Sequence, residues 1–284
     1  MQFGIFVFET AFSLDTAMLA KHAEDLGFES FWVPEHPIIP VTTSSPYRGS
    51  PDGVIPDAYK RIVDPFVALA RASAVTKTIK LGTGICLVPE HNPLMLAKTI
   101  ATLDHFSGGR FMFGIGAGWL QEETEVMGGD FPHRWTQTRE AILAMKELWT
   151  KDEAEYHGQY YNFPPVLAFP KPVQKPHPPV LLGGTARQVF QRIVEWGDGW
   201  MPNRVTTDDI RRGRSILNEL AEQVGRDPKS LEVLAFGFSG QFRSRAALQE
   251  LEEAGANRTT IWLDQTAGDA ALTEMEQIAK QVFA

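Results

Sequence analysis

The sequence predicts an α/β fold, a single (β/α)8 TIM barrel over residues 1–284 with insertion loops at its carboxyl-terminal face. Short apolar segments and amphipathic segments alternate eight times along the chain, which is the pattern of parallel strands joined by helices. Residues 80–119 form one complete strand–helix–strand unit, and a unit this compact indicates a parallel sheet. No segment has the composition of a linker, so we expect one domain.

The first four strands are predicted over residues 3–8, 29–33, 81–86 and 111–115, which are short and mainly apolar. Helices are expected between them over 14–26, 66–75 and 93–107. Asn92 and Pro93 supply the N-cap and first turn of the third helix, and Gly108 ends it. The fourth helix has apolar residues at 141, 142, 145, 148 and 149, which form one buried face.

The last four strands are predicted over residues 180–182, 199–201, 231–238 and 258–263, each followed by a helical pattern. Two long segments interrupt the repeat. Residues 37–62 are rich in Pro, Gly, Ser and Thr, and we interpret them as a binding loop or lid. Residues 152–179 are rich in Tyr and Pro, and their prolines exclude a central strand or a long helix.

Composition excludes several classes of function. The formal net charge of −8 argues against general nucleic-acid binding, which needs a basic surface. No apolar run approaches the length of a membrane helix, and the first residues have no basic segment typical of a signal peptide. The single cysteine, Cys86, suits a reducing compartment. We therefore expect a cytoplasmic protein with no membrane or nucleic-acid partner.

In a barrel of this kind the chemistry collects where the strands end. The strand ends place Glu9, Glu35-His36, residues 84–91 and residues 116–119 at this face, followed by residues 183–185, Asn203-Arg204, Gly240 and Asp264. Three of these ends are rich in glycine, so a flat or anionic ligand can approach the backbone closely. Gly183 and Gly184 also precede a predicted helix N-terminus, which suits a phosphate.

Each of these patterns also has a purely structural interpretation. The GxGxG of residues 114–118 lacks the dinucleotide spacing, so its glycines can simply be positions of close packing. His36 and His91 can each be structural hydrogen-bonding residues. The acidic, histidine and cysteine residues are not spaced as in a zinc site, and we predict no metal.

Several motifs together resemble the luciferase-like flavin and deazaflavin oxidoreductase superfamily. They are VPEHP at 33–37, LGTGI at 81–85, NPLMLAKTIATLDHFSGGR at 92–110 and FGIGAGW at 113–119, with weaker matches at 172–184 and 195–200. The resemblance implies a barrel that holds a flavin-type ring at its mouth. It also implies a non-prolyl cis peptide, which falls here on Gly84-Ile85, where the missing Cβ of glycine eases crowding.

The resemblance also implies roles for individual residues. His36 becomes the candidate acid/base near the reactive ring carbon, with Glu35 orienting it. Trp119 and His91 are expected on the substrate side; Trp119 stands where the sugar-phosphate dehydrogenases of this family have an acidic glutamate. The residues expected to contact the cofactor are Gly84, Ile85, Leu87, Gly116, Ala117, Gly118, Gly183, Gly184 and Thr185.

The cofactor implied is coenzyme F420, with FMN as the alternative. FMN users of the family often carry an arginine inside the strand-four glycine run as a phosphate clamp, and this chain has Ala117 there. F420 implies hydride transfer to or from a small organic substrate. FMN would instead imply a two-component monooxygenase fed with FMNH2 by a partner reductase. A protein that binds flavin or F420 without turnover remains a third interpretation, and a homodimer is expected from the family.

Overall fold

The computed structural model of this chain, which describes residues 1–283, contains a closed barrel of parallel strands. Nine strands pair in one sheet, and the pairing of its third and fifth strands closes the ring. The barrel strands are β1 (Gln2–Val7), β2 (Ser30–Val33), β3 (Lys80–Thr83), β4 (Cys86–Leu87), β5 (Phe111–Gly116), β8 (Val180–Gly183), β9 (Gly199–Met201), β10 (Glu232–Phe236) and β11 (Arg258–Leu263). β3 and β4 follow each other at one strand position of the ring, so the barrel has eight strand positions. The predicted fold class is confirmed.

The third strand position of the barrel differs from the single strand predicted over 81–86. It is divided into β3 and β4 by Gly84 and Ile85, which are joined by a cis peptide bond. β3 pairs with both β2 and β5, whereas β4 pairs with β5 alone. The predicted cis bond is therefore confirmed, and it accounts for the interruption of the strand.

Helices surround the barrel, in the order the alternation of the sequence predicts. They are α1 (Thr16–Asp25), α2 (Pro65–Val75), α3 (Pro93–Ser107), α4 (Gln121–Val126), α5 (Arg134–Thr150), α6 (Gln188–Trp196), α7 (Thr207–Gln223), α8 (Arg245–Glu253) and α9 (Gly268–Phe283). Asn92 caps α3 by accepting from two backbone N–H groups, and Gly108 ends it with a φ of 70°, as predicted. None of the helices within residues 1–283 is both long and apolar enough to cross a membrane.

The two long segments take different forms. Residues 37–62 are irregular except for a short 3-10 helix at Asp57–Arg61. Residues 152–179 contain a two-stranded antiparallel hairpin, β6 (Glu153–His157) and β7 (Asn162–Leu167), which lies outside the barrel sheet. The sequence did not predict this hairpin. Its second strand contains Pro164 and Pro165, which a hairpin edge tolerates and a central strand does not.

The core has two layers because successive residues of a strand point to opposite faces. One layer fills the barrel interior and includes Phe6, Trp32, Met112, Leu181, Met201 and Leu234. The other lies between the barrel and the helices. Gly82 leaves room for the indole of Trp32, because a Cβ there would lie 2.2 Å from Trp32 Cε3. The barrel interior is therefore a packed core and not an open channel.

Candidate active site

A cleft of about 340 Å³ opens at the mouth of the barrel. Four aromatic side chains line it together with polar groups from later strand ends. The lining residues are Tyr47, Arg48, Gly49, Tyr59, Trp119, Thr185, Asn203, Arg204 and Phe238. Its volume falls in the range of small-molecule sites, and aromatic walls with a few polar groups are typical of such sites.

A second cleft, of about 330 Å³, adjoins the first and shares Thr185 and Arg204 with it. It lies between α6 and α7, and Arg212 and Asp209 are among its lining residues. A larger cavity, of about 620 Å³, is lined by Phe3, Leu248 and Phe283. Because Phe3 begins the first strand, that cavity lies at the opposite end of the barrel and is remote from the strand ends.

His36 lies directly behind the aromatic wall of the first cleft. Its ring centroid is 5.1 Å from that of Tyr59 and 6.0 Å from that of Trp119, and its side chain is 7% exposed. The indole Nε1–H of Trp119 donates to Nε2 of His36 at 3.3 Å. Since indole is only a donor, Nε2 is an acceptor here and the neutral ring carries its proton on Nδ1.

The carboxylate that orients His36 is Glu123, whose Oε2 is 2.6 Å from Nδ1. The expectation that Glu35 fills this role is wrong. Glu35 faces the other way: its Oε1 pairs with Nε2 of His91 at 2.9 Å, and its Oε2 accepts the backbone N–H of Leu87 at 2.6 Å. Glu35 and His36 are adjacent in the segment that follows β2, and their side chains reach different partners.

A second buried carboxyl group, Glu90, lies next to this pair. Glu90 and Glu123 are 4% and 1% exposed, respectively. Thr124 donates to Oε1 of Glu90 at 3.1 Å, and Oε2 of Glu90 and Oε1 of Glu123 have no hydrogen-bond partner. Burial raises the pKa of Glu90 to about 9, and the charge of Glu123 adds to the shift. Glu90 is therefore a neutral acid at neutral pH.

The segment 37–62 covers the mouth. The hydroxyl groups of Tyr47 and Tyr59 are 2.9 Å apart, and the Tyr47 ring contacts Trp119 at 5.6 Å. Burial and the hydrogen bond with Tyr47 raise the pKa of Tyr59 well above its usual range, so it remains a neutral phenol. Arg204 Nη1 donates to the Arg48 carbonyl at 2.8 Å. The interpretation of 37–62 as a lid agrees with these contacts.

The cis bond brings Gly84 and Ile85 to the mouth, where both are half-buried. A Cβ at Gly116 would lie 2.0 Å from Cδ1 of Ile85, so the isoleucine packs directly on that glycine. The corresponding distance from a Cβ at Gly183 is 3.6 Å. The glycines of two neighbouring strand ends thus make room for the bulge.

The other residues predicted to contact a cofactor are divided. Gly184 and Thr185 are exposed beside the cleft. Leu87 and Ala117 are 3% and 4% exposed, and neither lines the cleft. His91 also stands apart, since its ring packs on Phe66 and pairs with Glu35.

Several site residues carried no assigned role in the sequence analysis. Tyr47 and Tyr59 lie inside the long loop, and Glu123 lies in the polar segment after the fourth strand, so neither periodicity nor a motif marks them. Arg204 was placed at a strand end only. The signal available for Glu123 was its position in the first turn of the helix that follows the glycine run.

Glu35, Cys86 and His91 also lie close together, with one potential ligand atom from each within 4.8 Å of the others. Both oxygens of Glu35 already have protein partners. Burial raises the pKa of Cys86 well above its usual value, which keeps the thiol protonated. These contacts describe a hydrogen-bonded pair that fixes the loop after β4, and the absence of a metal stays a prediction.

The chain matches one family model and several known proteins. The family model for luciferase-like monooxygenase matches residues 1–281. An uncharacterized protein of Mycobacterium tuberculosis is 42% identical over 232 residues, which are 80% of each chain. The F420-dependent glucose-6-phosphate dehydrogenase of Kineococcus radiotolerans is 32% identical over 190 residues, 65% of this chain and 51% of that protein. The FMNH2-dependent dimethylsulfone monooxygenase of Pseudomonas putida is 32% identical over 162 residues, 54% of this chain and 44% of that protein.

Solved structures share the whole fold. The monooxygenase RslO1 from Streptomyces bottropensis superposes with a TM-score of 0.77 at 20% identity, covering 100% of this chain and 99% of that one. An F420-dependent secondary alcohol dehydrogenase in complex with an F420–acetone adduct also gives 0.77, at 18% identity, covering 99% and 98%. At such low identities the likeness shows the fold alone.

Proposed function

Because the chain belongs to the luciferase-like monooxygenase family, we propose that it is an oxidoreductase that transfers a hydride between coenzyme F420 and a small organic substrate. The observation that carries this proposal is His36: a buried imidazole behind the aromatic cleft, with Nδ1 held by Glu123 and Nε2 next to Trp119. Hydride transfer to or from an organic molecule is accompanied by movement of a proton, and a fixed imidazole can give or accept one near neutral pH.

The residues present fit a cofactor of this kind. The first cleft has aromatic walls suited to a flat ring, and the bulge at Gly84-Ile85 follows the carboxyl end of β3. The adjoining cleft offers Arg204 and Arg212 to an anionic tail. Ala117 favours F420 over FMN, since its small buried side chain stands where many FMN users of the family have an arginine. When bound, F420 supplies a ring carbon that gives or accepts a hydride.

His36, Glu123 and the aromatic side chains of the cleft have separate roles in the proposed reaction. His36 exchanges a proton with the substrate through Nε2. Glu123 accepts a hydrogen bond from Nδ1–H and thereby fixes the orientation of the ring, and with it the position of Nε2. Ionised Glu123 also stabilises the imidazolium that forms when His36 takes up a proton. Tyr59, Tyr47 and Trp119 keep water from the cleft while the 37–62 lid is closed, and the neutral phenol of Tyr59 is a hydrogen-bond donor.

Replacing His36 with Ala tests this role. We expect the turnover number to fall about 100-fold or more, as for loss of a general acid/base, while the dissociation constant for F420 changes little. The matched control is His105→Ala, since His105 is exposed in the last turn of α3. Equal turnover in His36→Ala and wild type would assign His36 a structural role.

An FMN-dependent monooxygenase supplied by a separate reductase is the second candidate, and similarity to an FMNH2-dependent enzyme favours it. It predicts oxygen consumption with reduced FMN, and no acceptor-dependent oxidation of reduced F420. If neither activity is found with a bound cofactor, the non-catalytic interpretation is the one that remains.

A cytoplasmic homodimer completes the proposal. The neighbouring helices α2 and α3 expose Val67, Met95 and Phe106 by 64%, 67% and 70%, and an apolar face of this kind suits an interface. Light scattering coupled to size-exclusion chromatography should give twice the mass of the chain. A monomer at micromolar concentration would contradict this part of the proposal.

A further inference from the structure

Two buried carboxyl groups lie behind His36, and the proposed function uses only one of them. Glu123 contacts the imidazole. Glu90 ends the 3-10 helix Val88–Glu90 and does not contact the imidazole. A buried acid that has no cationic partner needs a physical explanation, because its ionised form would be costly there.

The geometry ties Glu90 to the His36 site. A Cβ at Gly118, next to Trp119, would lie 3.3 Å from Oε1 of Glu90 and 2.8 Å from Oγ1 of Thr124. Thr124 donates to the same oxygen of Glu90 and directly follows Glu123 on α4. The remaining oxygen of each acid, Oε2 of Glu90 and Oε1 of Glu123, is buried without a partner.

Only one of the two acids can carry a charge at low cost. Two carboxylates that share a buried site cannot both ionise near neutral pH, so one of them keeps its proton. Glu123 has the Nδ1–H of His36 as a donor at 2.6 Å, whereas Glu90 has one neutral hydroxyl donor and the acidic neighbours Glu123 and Glu35. The negative charge therefore belongs on Glu123 and the proton on Glu90.

We propose that Glu90 is a positioning residue: a neutral carboxylic acid that confines the single negative charge of this buried pair to Glu123 and thereby keeps His36 able to release its proton. The catalytic part of this inference rests on the proposed function, whereas the protonation of Glu90 does not. If Glu90 also ionised, a second negative charge would hold the proton on His36 more tightly.

The charged and titratable groups around Glu90 come from several elements, and one of them is the protonated thiol of Cys86 on β4. Glu123 lies on α4, and Glu35 lies on the segment after β2. His36, on the same segment, reaches Glu90 only through Glu123. His91 follows Glu90 directly and is turned toward Glu35. The carboxyl groups of Glu123 and Glu35 both oppose ionisation of Glu90.

Infrared spectroscopy of the cofactor-free protein tests the protonation directly. At pH 8 the carbonyl stretch of a protonated carboxylic acid should be present in wild type, lose most of its area in Glu90→Gln, and be unchanged in the control Glu125→Gln, whose side chain is exposed on α4. Glu9, with a pKa of about 7, contributes only a minor band at this pH. An undiminished band in Glu90→Gln, or no band in wild type, would overturn the assignment.

The pH profile of turnover tests the functional half. With saturating F420, kcat/KM for the organic substrate should fall at alkaline pH in wild type. In Glu90→Gln this fall should begin at least one pH unit higher, because glutamine cannot ionise. Glu123→Gln should lose about 100-fold at every pH, and the double variant should match it. An unmoved alkaline limb, or a loss above tenfold at pH 7 in Glu90→Gln, would overturn the proposal. If no F420 turnover is found but the infrared result holds, the proposed function and the catalytic half of this inference both fail, and the protonation of Glu90 stands.

Discussion

Replacing Glu9 with Gln should change how the stability of this protein depends on pH. Glu9 follows β1 and is 5% exposed. Thr16 donates to its Oε1, and its Oε2 is buried without a partner. Burial raises the pKa of Glu9 from 4.5 to about 7, and the charge of Asp15 adds to the shift, while the Thr16 hydrogen bond and Arg71 oppose it.

The sign of the effect follows from the raised pKa. The favourable contribution of protonated Glu9 to the folded state is complete below pH 4.5 and is lost as the pH rises through about 7. The shift spans about 2.5 pH units at 1.36 kcal/mol each, so wild type should lose about 3 kcal/mol of stability relative to Glu9→Gln between pH 4.5 and pH 7.5. Any packing effect of the glutamine is constant over this range and cancels.

Urea denaturation at several pH values measures this difference on the protein without cofactor. Glu222→Gln, exposed on α7, is the matched control and should run parallel to wild type. If the free-energy difference between wild type and Glu9→Gln stays constant from pH 4.5 to pH 7.5, Glu9 is not held as a neutral acid and the reasoning fails.

Two further predictions concern the contacts around the mouth. His91→Gln removes the imidazole from Glu35 and should lower the free energy of unfolding by about 1–3 kcal/mol, because one oxygen of a buried carboxyl group loses its hydrogen-bond partner; urea denaturation against the exposed control His105→Gln measures it, and an unchanged midpoint would contradict the pairing. Glu122→Gln removes the carboxylate that accepts from Ser44 N at 2.5 Å and Ser44 Oγ at 2.7 Å, so tryptic cleavage at Arg48 and Lys60 should become several-fold faster. The cleavage rate should not change in Glu125→Gln, and equal rates in all three proteins would show that this contact does not hold the lid.

The barrel could be predicted from the sequence because each of its strands is locally marked. Apolar runs end in glycine or a polar pair, and caps such as Asn92 and Gly108 fix the helix ends without tertiary information. Even the three-residue strand Gly199–Met201 was found this way. The cis bond at Gly84-Ile85 came from the family resemblance, since no local propensity predicts a non-prolyl cis peptide.

The partners within the site could not be predicted, because they depend on contacts between distant residues. His36 and Glu123 are 87 residues apart, and Glu35 and His91 are 56 apart. Adjacency in sequence suggested pairing Glu35 with His36, but Glu35 contacts His91 and His36 contacts Glu123. The hairpin β6–β7 was missed for a related reason: its prolines exclude a barrel strand and leave an edge strand open.

Direct binding of F420 and of FMN to the purified protein distinguishes the two candidate cofactors. Purified protein freed of ligands should be titrated separately with F420 and with FMN, and the two dissociation constants compared at the same salt concentration. F420 should bind at least tenfold more tightly than FMN, because Ala117 offers no cation to the FMN phosphate. Tight binding of FMN with no measurable binding of F420 would contradict it.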